Sequence, residues 1–476
     1  MALILKQYPL WSISTHQGAQ PIGQQLIWSV IDTNIVANHF NVKYVAEVYV
    51  SNDAIVWSAA QKIGTFKTTP NNAGAGIWDF RSVLETFLKP DHLGSTLGAF
   101  PSTYKSVQDL NKPIHLIDKC SRSDNSIKYV GIIFSSEGSI TATGTVGPYG
   151  NSISPPQYTF FNGVLQYDNV LELSNGNYGF PLQKNKLMPS STYAESRFLT
   201  NSPTTQYANL KDYGTFAFLN FMPQATDRLS TLQLKYYSSS GSLLDSENVN
   251  TGIGNGGASS LYNANTQLLY AGLFPGNLRN HSTKFNTLVS AGTIQGGYYT
   301  IQGQTSLGLN QQLYTINLNC PTNLGYEPIR LTWLNQWGVW DYYTFIQKSI
   351  KSISTKRTPY SQMSGTWNEE TLAINGYQGG RKNFRVNTSE KIRMNTAYVT
   401  EEEGQWFEEL INSPEVYILN GFDGSEVAPY TMITNKYVEP VTLTTSSYTK
   451  KTIANDKLMQ YTFEVEKSKN RRTQSV

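Results

Sequence analysis

Alternation of apolar and polar residues with a period of two is the feature that most constrains how this chain can fold. Stretches of this kind recur along its whole length, for example Asn41–Val50, Ser126–Phe134, Thr231–Tyr237 and Gln460–Glu466. Each is rich in Val, Ile, Tyr, Phe or Thr and is bounded by Ser, Asn or Gly, which is the pattern of a half-buried β-strand. The sequence therefore predicts a mainly β fold.

Turn-forming residues separate these stretches at short intervals. The 37 Gly and 20 Pro of the 476-residue chain fall largely in short clusters, a spacing typical of β-sandwiches and barrels rather than of βαβ units. We predict two or three sandwich- or barrel-like domains with a few short helices: residues 1–105, 106–325 and 326–476. The third domain is expected to have α+β character.

One predicted helix follows Asp79, a residue suited to capping a helix N-terminus. Its apolar residues are spaced at i, i+3, i+4 and i+7 and would form one stripe: Phe80, Val83, Leu84 and Phe87. Pro90 ends the pattern. We expect this helix to pack one face against a sheet.

A second helix is predicted from Thr400, because a Thr followed by Glu403 forms a capping box and the acidic first turn suits the helix dipole. Its buried face, with the strand after it, is expected to comprise Trp406, Phe407, Leu410, Ile411, Tyr417 and Leu419. Pro414 ends the helix. Capping and a solvated face also account for its five glutamates without a catalytic or metal site.

The charge composition argues against polyanion binding as the main activity. The chain holds 37 Lys or Arg and 34 Asp or Glu, for a net charge of +3. The electrostatic field of so small a net charge, spread over 476 residues, does not by itself drive the binding of a polyanion. The basic segment Lys467–Arg472 is either a solvated tail or a contact for an acidic neighbour or DNA.

Candidate catalytic and metal-binding patterns are absent from the sequence. The five histidines stand singly, no Gly-x-Ser-x-Gly motif occurs, and the glycine-rich segment Gly252–Gly257 lacks a following Lys-Ser/Thr. Cys120 and Cys320 are expected to be buried thiols, with one long-range disulfide as the alternative. We therefore expect no enzyme activity, cofactor or metal.

The densest aromatic cluster lies in Leu331–Phe345, which is predicted to form a hairpin around the turn Asn335–Gly338. Four of its side chains are candidate interface residues: Trp337, Trp340, Tyr342 and Tyr343. They would form either an exposed sugar-stacking or protein-binding surface, or, for about half of them, part of a core.

Two long, weakly patterned segments, 138–157 and 238–260, are interpreted as exposed loops that contact other subunits. Tyr149 and Asn255 are their candidate interface residues, and Arg471 and Arg472 are those of the basic terminus.

The order of several sequence blocks resembles a family of virion structural proteins of tailed bacteriophages, found in crAss-like phages and in phages of marine bacteria and Bacteroidota. The blocks span nearly the whole chain: Gly76–Asp91, Phe160–Asp168, Arg197–Pro203, Asp212–Asn220, the Trp333 hairpin, Thr400–Leu419, Pro440–Tyr448, Asn455–Leu458, Tyr461–Glu466 and Asn470–Arg472. The resemblance implies a non-enzymatic tail component of the hub or baseplate-like region.

Such a protein is expected to form a cyclic homo-oligomer, to dock other tail proteins, and to reside in the virion after synthesis in the host cytoplasm. The opening Met1–Pro9 is interpreted as a strand rather than a signal peptide, and no membrane insertion is expected. Nucleic acid is expected as a partner only within a tail lumen. The alternatives are a host-receptor or surface-polysaccharide binder and, third, a polymer-degrading enzyme with paired carboxylates.

Overall fold

The computed structural model describes residues 3–9, 12–13, 16–17, 19–52, 60–94, 112–155, 157–174, 176–189, 195–220, 228–250, 267–305, 308, 311–318, 326–420, 437–447, 449, 459–469 and 471–472. These residues divide into two compact units. The first holds those of Met1–Pro321 and Leu334–Asp341. The second holds those of Thr322–Trp333, Tyr342–Asn420 and Lys436–Val476.

The described strands of the first unit are β1 (Ile4–Gln7), β2 (Ser12–Ile13), β3 (His16–Gln17), β4 (Ala19–Gly23), β5 (Ile27–Ile31), β6 (Phe40–Ser51), β7 (Gln61–Thr68), β8 (Ala75–Asp79), β9 (Cys120–Arg122), β10 (Ile127–Ser139), β11 (Gly147–Ile153), β12 (Tyr158–Val164), β13 (Glu172–Ser174), β14 (Asn177–Gly179), β15 (Thr205–Ala208), β16 (Thr215–Asn220), β17 (Leu229–Tyr237), β18 (Leu243–Asn250), β19 (Gln267–Gly272), β20 (Tyr298–Thr305) and β21 (Tyr314–Leu318).

The strands that follow are β22 (Ile329–Leu334), β23 (Trp340–Phe345), β24 (Ile350–Gln362), β25 (Gly380–Asn395), β26 (Val416–Leu419), β27 (Val438–Leu443), β28 (Thr462–Lys467) and β29 (Arg471–Arg472). The described α-helices are α1 (Thr33–Asn38), α2 (Arg81–Leu84), α3 (Pro275–His281), α4 (Thr283–Ser290) and α5 (Glu401–Asn412).

Several separate sheets build the first unit. A six-stranded sheet has the order β4-β12-β10-β6-β7 with β11 paired to β10, and a five-stranded sheet has the order β15-β21-β20-β17-β18. Two three-stranded sheets, β1-β5-β8 and β16-β19-β9, and the pairs β2-β3 and β13-β14 complete it. Strands β6 and β10 run antiparallel from Tyr129 opposite Ser51 to Ser139 opposite Phe40, and a core that includes Trp28 lies against them.

The second unit contains one eight-stranded sheet of order β23-β22-β26-β27-β28-β25-β24, with β29 paired to β25. Helix α5 buries its apolar side in the core of this sheet, where the rings of Trp333 and Trp406 lie 4.9 Å apart. The turn Leu334–Asp341, which joins β22 to β23, belongs to the first unit. Strand β24 lies at one edge of the sheet.

The mainly β fold class is confirmed, since separate sheets and a few short helices make up the described chain. The four alternating segments lie in β6, β10, β17 and β28, and the aromatic hairpin forms as β22 and β23. No helix among the described residues is long and apolar enough to cross a membrane. The division at residues 105 and 325 stays a prediction.

The two predicted helices have different outcomes. Helix α5 has the predicted capping box: the Thr400 Oγ1 accepts a hydrogen bond from the Glu403 amide, and the Glu403 carboxylate accepts one from the Thr400 amide. The helix after Asp79 is shorter than predicted, because α2 has four residues and continues only as a 3-10 turn over Glu85–Phe87. Its N-cap is Phe80 rather than Asp79.

Three details of the sequence interpretation are wrong. The segments 138–157 and 238–260 are not simply loops, because they contain the strands β11 and β18, each hydrogen-bonded to a neighbour. Tyr417 is half-buried, because the alternation of β26 turns Val416 and Ile418 into the core instead. Helices α1, α3 and α4 were not predicted.

Candidate interaction surface

The aromatic side chains of the β22–β23 hairpin lie inside the protein. Trp337, Trp340 and Tyr342 are 1%, 2% and 4% exposed, and Tyr343 is half-buried. The expectation that the first three form an exposed contact surface is therefore wrong, and the alternative of a buried role holds for them.

The buried indole groups of Trp337 and Trp340 each donate a hydrogen bond. The Trp337 Nε1 donates to the Asn201 Oδ1 at 3.2 Å, and its ring stacks on Phe180 at 5.9 Å. The Trp340 Nε1 donates to the carbonyl oxygen of Asp91 at 2.8 Å. A hydrogen bond offsets the cost of burying an indole N–H, so both tryptophans pack as structural anchors.

Tyr342 and Tyr343 belong to the second unit. The guanidinium of Arg330 lies 5.2 Å from the centre of the Tyr342 ring. The Tyr343 ring meets Phe407 edge-on at 4.8 Å, and burial raises the pKa of its hydroxyl. Both rings are committed to packing within the unit.

The remaining candidate residues are scattered. Tyr149 is half-buried on β11, where its hydroxyl is 2.5 Å from the Asn34 amide nitrogen and its ring packs against His39 at 4.4 Å. Arg471 and Arg472 form β29 and pair with β25. Asn255 lies outside the described residues, as does Cys320, so the proposed interface role of the first and the pairing of the second stay predictions.

A fully buried carboxylate, Asp91, is the strongest candidate for acid–base chemistry in the first unit. Its oxygens accept five hydrogen bonds, from the hydroxyls of Ser123 and Tyr270 and from the backbone amides of residues 124–126. Burial raises the pKa of this carboxyl. Because every partner is structural, Asp91 fixes the turn before β10 rather than facing a substrate.

Lys112 and Asp118 form a buried ion pair, with 2.9 Å between the ammonium nitrogen and the carboxylate oxygen. The Asn280 side chain donates to the same oxygen at 2.9 Å. Such a pair is well satisfied and serves packing. Across the described part of the chain, no group of three or more His, Cys, Asp and Glu residues is placed to hold a metal ion.

The most exposed element among the described residues was not predicted as a site. Strands β24 and β25, joined by residues 363–379, form a long antiparallel pair that we call the hairpin arm; its strands are the shaft and residues 363–379 the tip. Nearly every residue of β24 is exposed, and β24 has no partner strand except β25 among the described residues.

Large apolar side chains cover the tip of the hairpin arm. Five of them are 57% to 78% exposed to solvent: Met363, Trp367, Leu372, Ile374 and Tyr377. Exposed apolar side chains are ordinary when single, whereas several of them on one short loop are typical of a contact surface.

The tip is nevertheless an ordered loop. The Thr366 hydroxyl donates to the Thr371 carbonyl at 3.0 Å and accepts from the Ala373 amide at 2.8 Å. The Trp367 Nε1 donates to the Ser364 carbonyl at 2.8 Å, which fixes the indole with its ring outward. Gly379 has φ +89°, and a Cβ there would lie 2.1 Å from the Ser364 hydroxyl oxygen, so this turn requires glycine.

The shaft and the tip differ in charge. The strands of the shaft hold eight Lys or Arg residues and one Glu, whereas the tip holds two Glu and neither Lys nor Arg. Apolar and cationic surfaces therefore lie on successive parts of one element.

No family model matches this sequence, and no curated protein is significantly similar to it.

Proposed function

We propose that this chain is a non-enzymatic structural component of a tailed-bacteriophage virion, in the hub or baseplate-like region of the tail. It assembles into a symmetric homo-oligomer through the tip of the hairpin arm and docks other tail proteins. The ordered apolar tip is the observation that carries the assembly role. The resemblance to phage virion proteins supplies the biological setting.

The energetics of the tip favour a docked state. Burying a large apolar side chain gains roughly 1.5–3 kcal/mol, and five such side chains are exposed on the tip. The hydrogen bonds of Thr366 and Trp367 hold the loop in one conformation. Docking therefore costs little ordering entropy, and more of the burial energy appears as affinity.

The reach of the arm also favours contact with another molecule. Strand β25 has 16 residues, a span of about 50 Å at roughly 3.3 Å per residue. It pairs with β28 only over Lys391–Asn395 and with β29 over Asn387 and Thr388. When the tip of one copy binds a different surface on the next copy, the contact is heterologous, and it forms a ring where the repeated rotation returns to the first copy.

Photo-crosslinking from the tip tests this proposal. A photoreactive phenylalanine derivative replaces Trp367 in the full chain, and irradiated protein is resolved under denaturing conditions. We expect covalent products at multiples of the 53.2-kDa chain mass. The control places the same group at Tyr398, which is exposed but lies outside the arm. No products from position 367, or equal yields from both positions, would refute assembly through the tip.

A second candidate is a glycan-binding tail protein, favoured by the exposed rings of Trp367 and Tyr377. Aromatic faces of this kind stack on sugar rings. Calorimetric titration with host surface polysaccharide tests it, with Trp367→Ala as the comparison. Binding that disappears in the variant, together with absent crosslinks, would replace the assembly role with this one.

A further inference from the structure

The net charge of the chain is concentrated on one element. The whole sequence has a net charge of +3, whereas the shaft of the hairpin arm has eight basic residues and one acidic residue. The expectation of a weak, evenly spread field therefore does not describe this surface. Local concentrations of like charge attract polyanions even when the net charge is small.

Five of these cations lie level with the outer end of the β29 pairing or beyond it: Lys356, Arg357, Arg381, Lys382 and Arg385. None of them forms an ion pair within the described part of the chain. Lys382 and Arg385 contact only neutral groups, the side chain of Gln362 with the backbone of Tyr377, and the side chain of Asn387.

Several carboxylates elsewhere on the chain are engaged already. Lysines of the same molecule hold Glu47, Glu137, Glu172, Asp245 and Glu327 in surface ion pairs. Five cations without ion-pair partners in the described chain stand on one narrow ribbon. This density of positive charge favours a partner with a high density of negative charge.

The register of the arm distributes the cations over both faces of a narrow ribbon. One face carries Lys356, Arg385 and Lys382. Arg385 pairs with position 358 of β24 and Lys382 with position 360, and alternate positions of a strand share a face. The other face carries Arg357 and Arg381, because Arg381 pairs with position 361 of β24. Long side chains on both faces reach charges that flank a ribbon on two sides.

These dimensions match a nucleic acid duplex. The major groove of B-DNA admits a two-stranded β-ribbon. The free part of the shaft has about seven residues per strand, or roughly 23 Å, which fits within one helical turn of DNA. The tip carries Glu369 and Glu370, whose negative charge is repelled by phosphates. The tip therefore stays available for contact with protein.

We propose that the free shaft of the hairpin arm binds duplex DNA through its phosphate backbone, with the ribbon in the major groove. This inference goes beyond the proposed function and stands independently of it, because the tip carries the assembly role and the shaft carries the DNA contact. Binding is independent of base sequence, since cations that contact phosphates position a protein without reading the bases.

Fluorescence anisotropy with the full chain and a labelled 30-base-pair duplex tests the proposal over a series of NaCl concentrations. Five phosphate contacts predict a slope of about −4.5 for log K against log salt concentration. The double variant Lys356→Gln/Arg385→Gln removes two contacts and should flatten the slope by about 2. The exchange variant Lys356→Arg/Arg385→Lys should retain the wild-type slope.

The matched control is Lys184→Gln/Lys284→Gln, which removes two exposed lysines of the first unit. It changes net charge equally and should leave the slope unchanged. Absent binding at 50 mM NaCl would overturn the proposal, as would an equal loss in the control. Competition by polyglutamate as effective as that by unlabelled duplex would also overturn it, in favour of an acidic protein partner. The tip and its crosslinks are untouched by these variants, so each proposal fails separately.

Discussion

Two tryptophans of this protein differ in burial and therefore in role. Trp406 is buried in the second unit against Trp333, whereas the Trp367 ring is 65% exposed on the tip of the arm. The sequence predicted the first, because a capped helix with apolar residues on one face has to bury them. It gave no signal for the second, since residues 363–379 have no periodic pattern that says which side faces solvent.

The substitution Trp406→Ala should lower the free energy of unfolding by about 3–5 kcal/mol, because it leaves a large cavity in a packed core. At protein concentrations low enough for the chain to be monomeric, the substitution Trp367→Ala should change it by less than about 0.5 kcal/mol, as expected for an exposed side chain. Urea unfolding monitored by circular dichroism measures both. Equal effects of the two substitutions would contradict the packing of α5 described above.

His281, at the end of α3, makes stability depend on pH. Its Nε2 is shielded from solvent and has no hydrogen-bond partner among the described residues. Burial lowers the pKa of this imidazole below 6.5, outweighing the nearby carboxylates of Asp118 and Glu247. The unfolded chain then binds a proton at pH 6.5 that the folded chain binds only at lower pH, so stability is full above pH 6.5 and falls below it.

We expect the wild-type unfolding free energy to fall further than that of His281→Gln between pH 7.5 and pH 5.5, and by at most about 1.4 kcal/mol per pH unit, because one proton is involved. Urea titrations of both proteins at the two pH values provide the comparison. Parallel losses would show that other groups cause the pH dependence.

Elements differ in how much of them the sequence could predict. The β22–β23 hairpin was predicted from its aromatic strands and the turn Asn335–Gly338, and its bounds are nearly those expected. The hairpin arm was missed, because its strands are largely polar and, apart from Ile392 and Met394 near the end of β25, bury no side chain. Helices α1, α3 and α4 were missed because each is eight residues or shorter, too short for a periodic pattern.

The turn of the aromatic hairpin requires glycine for two reasons. Gly338 has φ +72°, and a Cβ there would lie 1.7 Å from the carbonyl oxygen of Asn162. Gly292 has φ +70° but no atom within 4 Å of the same position. Gly292→Ala should cost about 1–2 kcal/mol from the backbone alone.

Gly338→Ala should cost at least about 2 kcal/mol more, because the clash forces the backbone of β12 to move. Thermal unfolding of the two variants measures the difference. If the two midpoints agree, the hairpin turn does not pack against Asn162 in the way described.

At the scale of the whole molecule, composition predicted the fold class but not the basic surface of the shaft. Lightly charged composition and turn residues were sufficient for a mainly β chain with separate sheets. A net charge of +3 could not show that the shaft holds eight of the 37 basic residues on two adjacent strands. That arrangement depends on the pairing of residues some 20 to 40 positions apart, which only the folded chain displays.

The central claim is that the tip of the hairpin arm joins copies of this protein. Light scattering of the purified chain, and of a Trp367→Ser/Ile374→Ser/Tyr377→Ser variant, tests it most directly. We predict a wild-type solution mass that is a whole multiple of 53.2 kDa, at least three-fold, and a monomeric variant with an unchanged far-UV circular dichroism spectrum. A monomeric wild-type protein, or a variant with the wild-type mass, would contradict the claim.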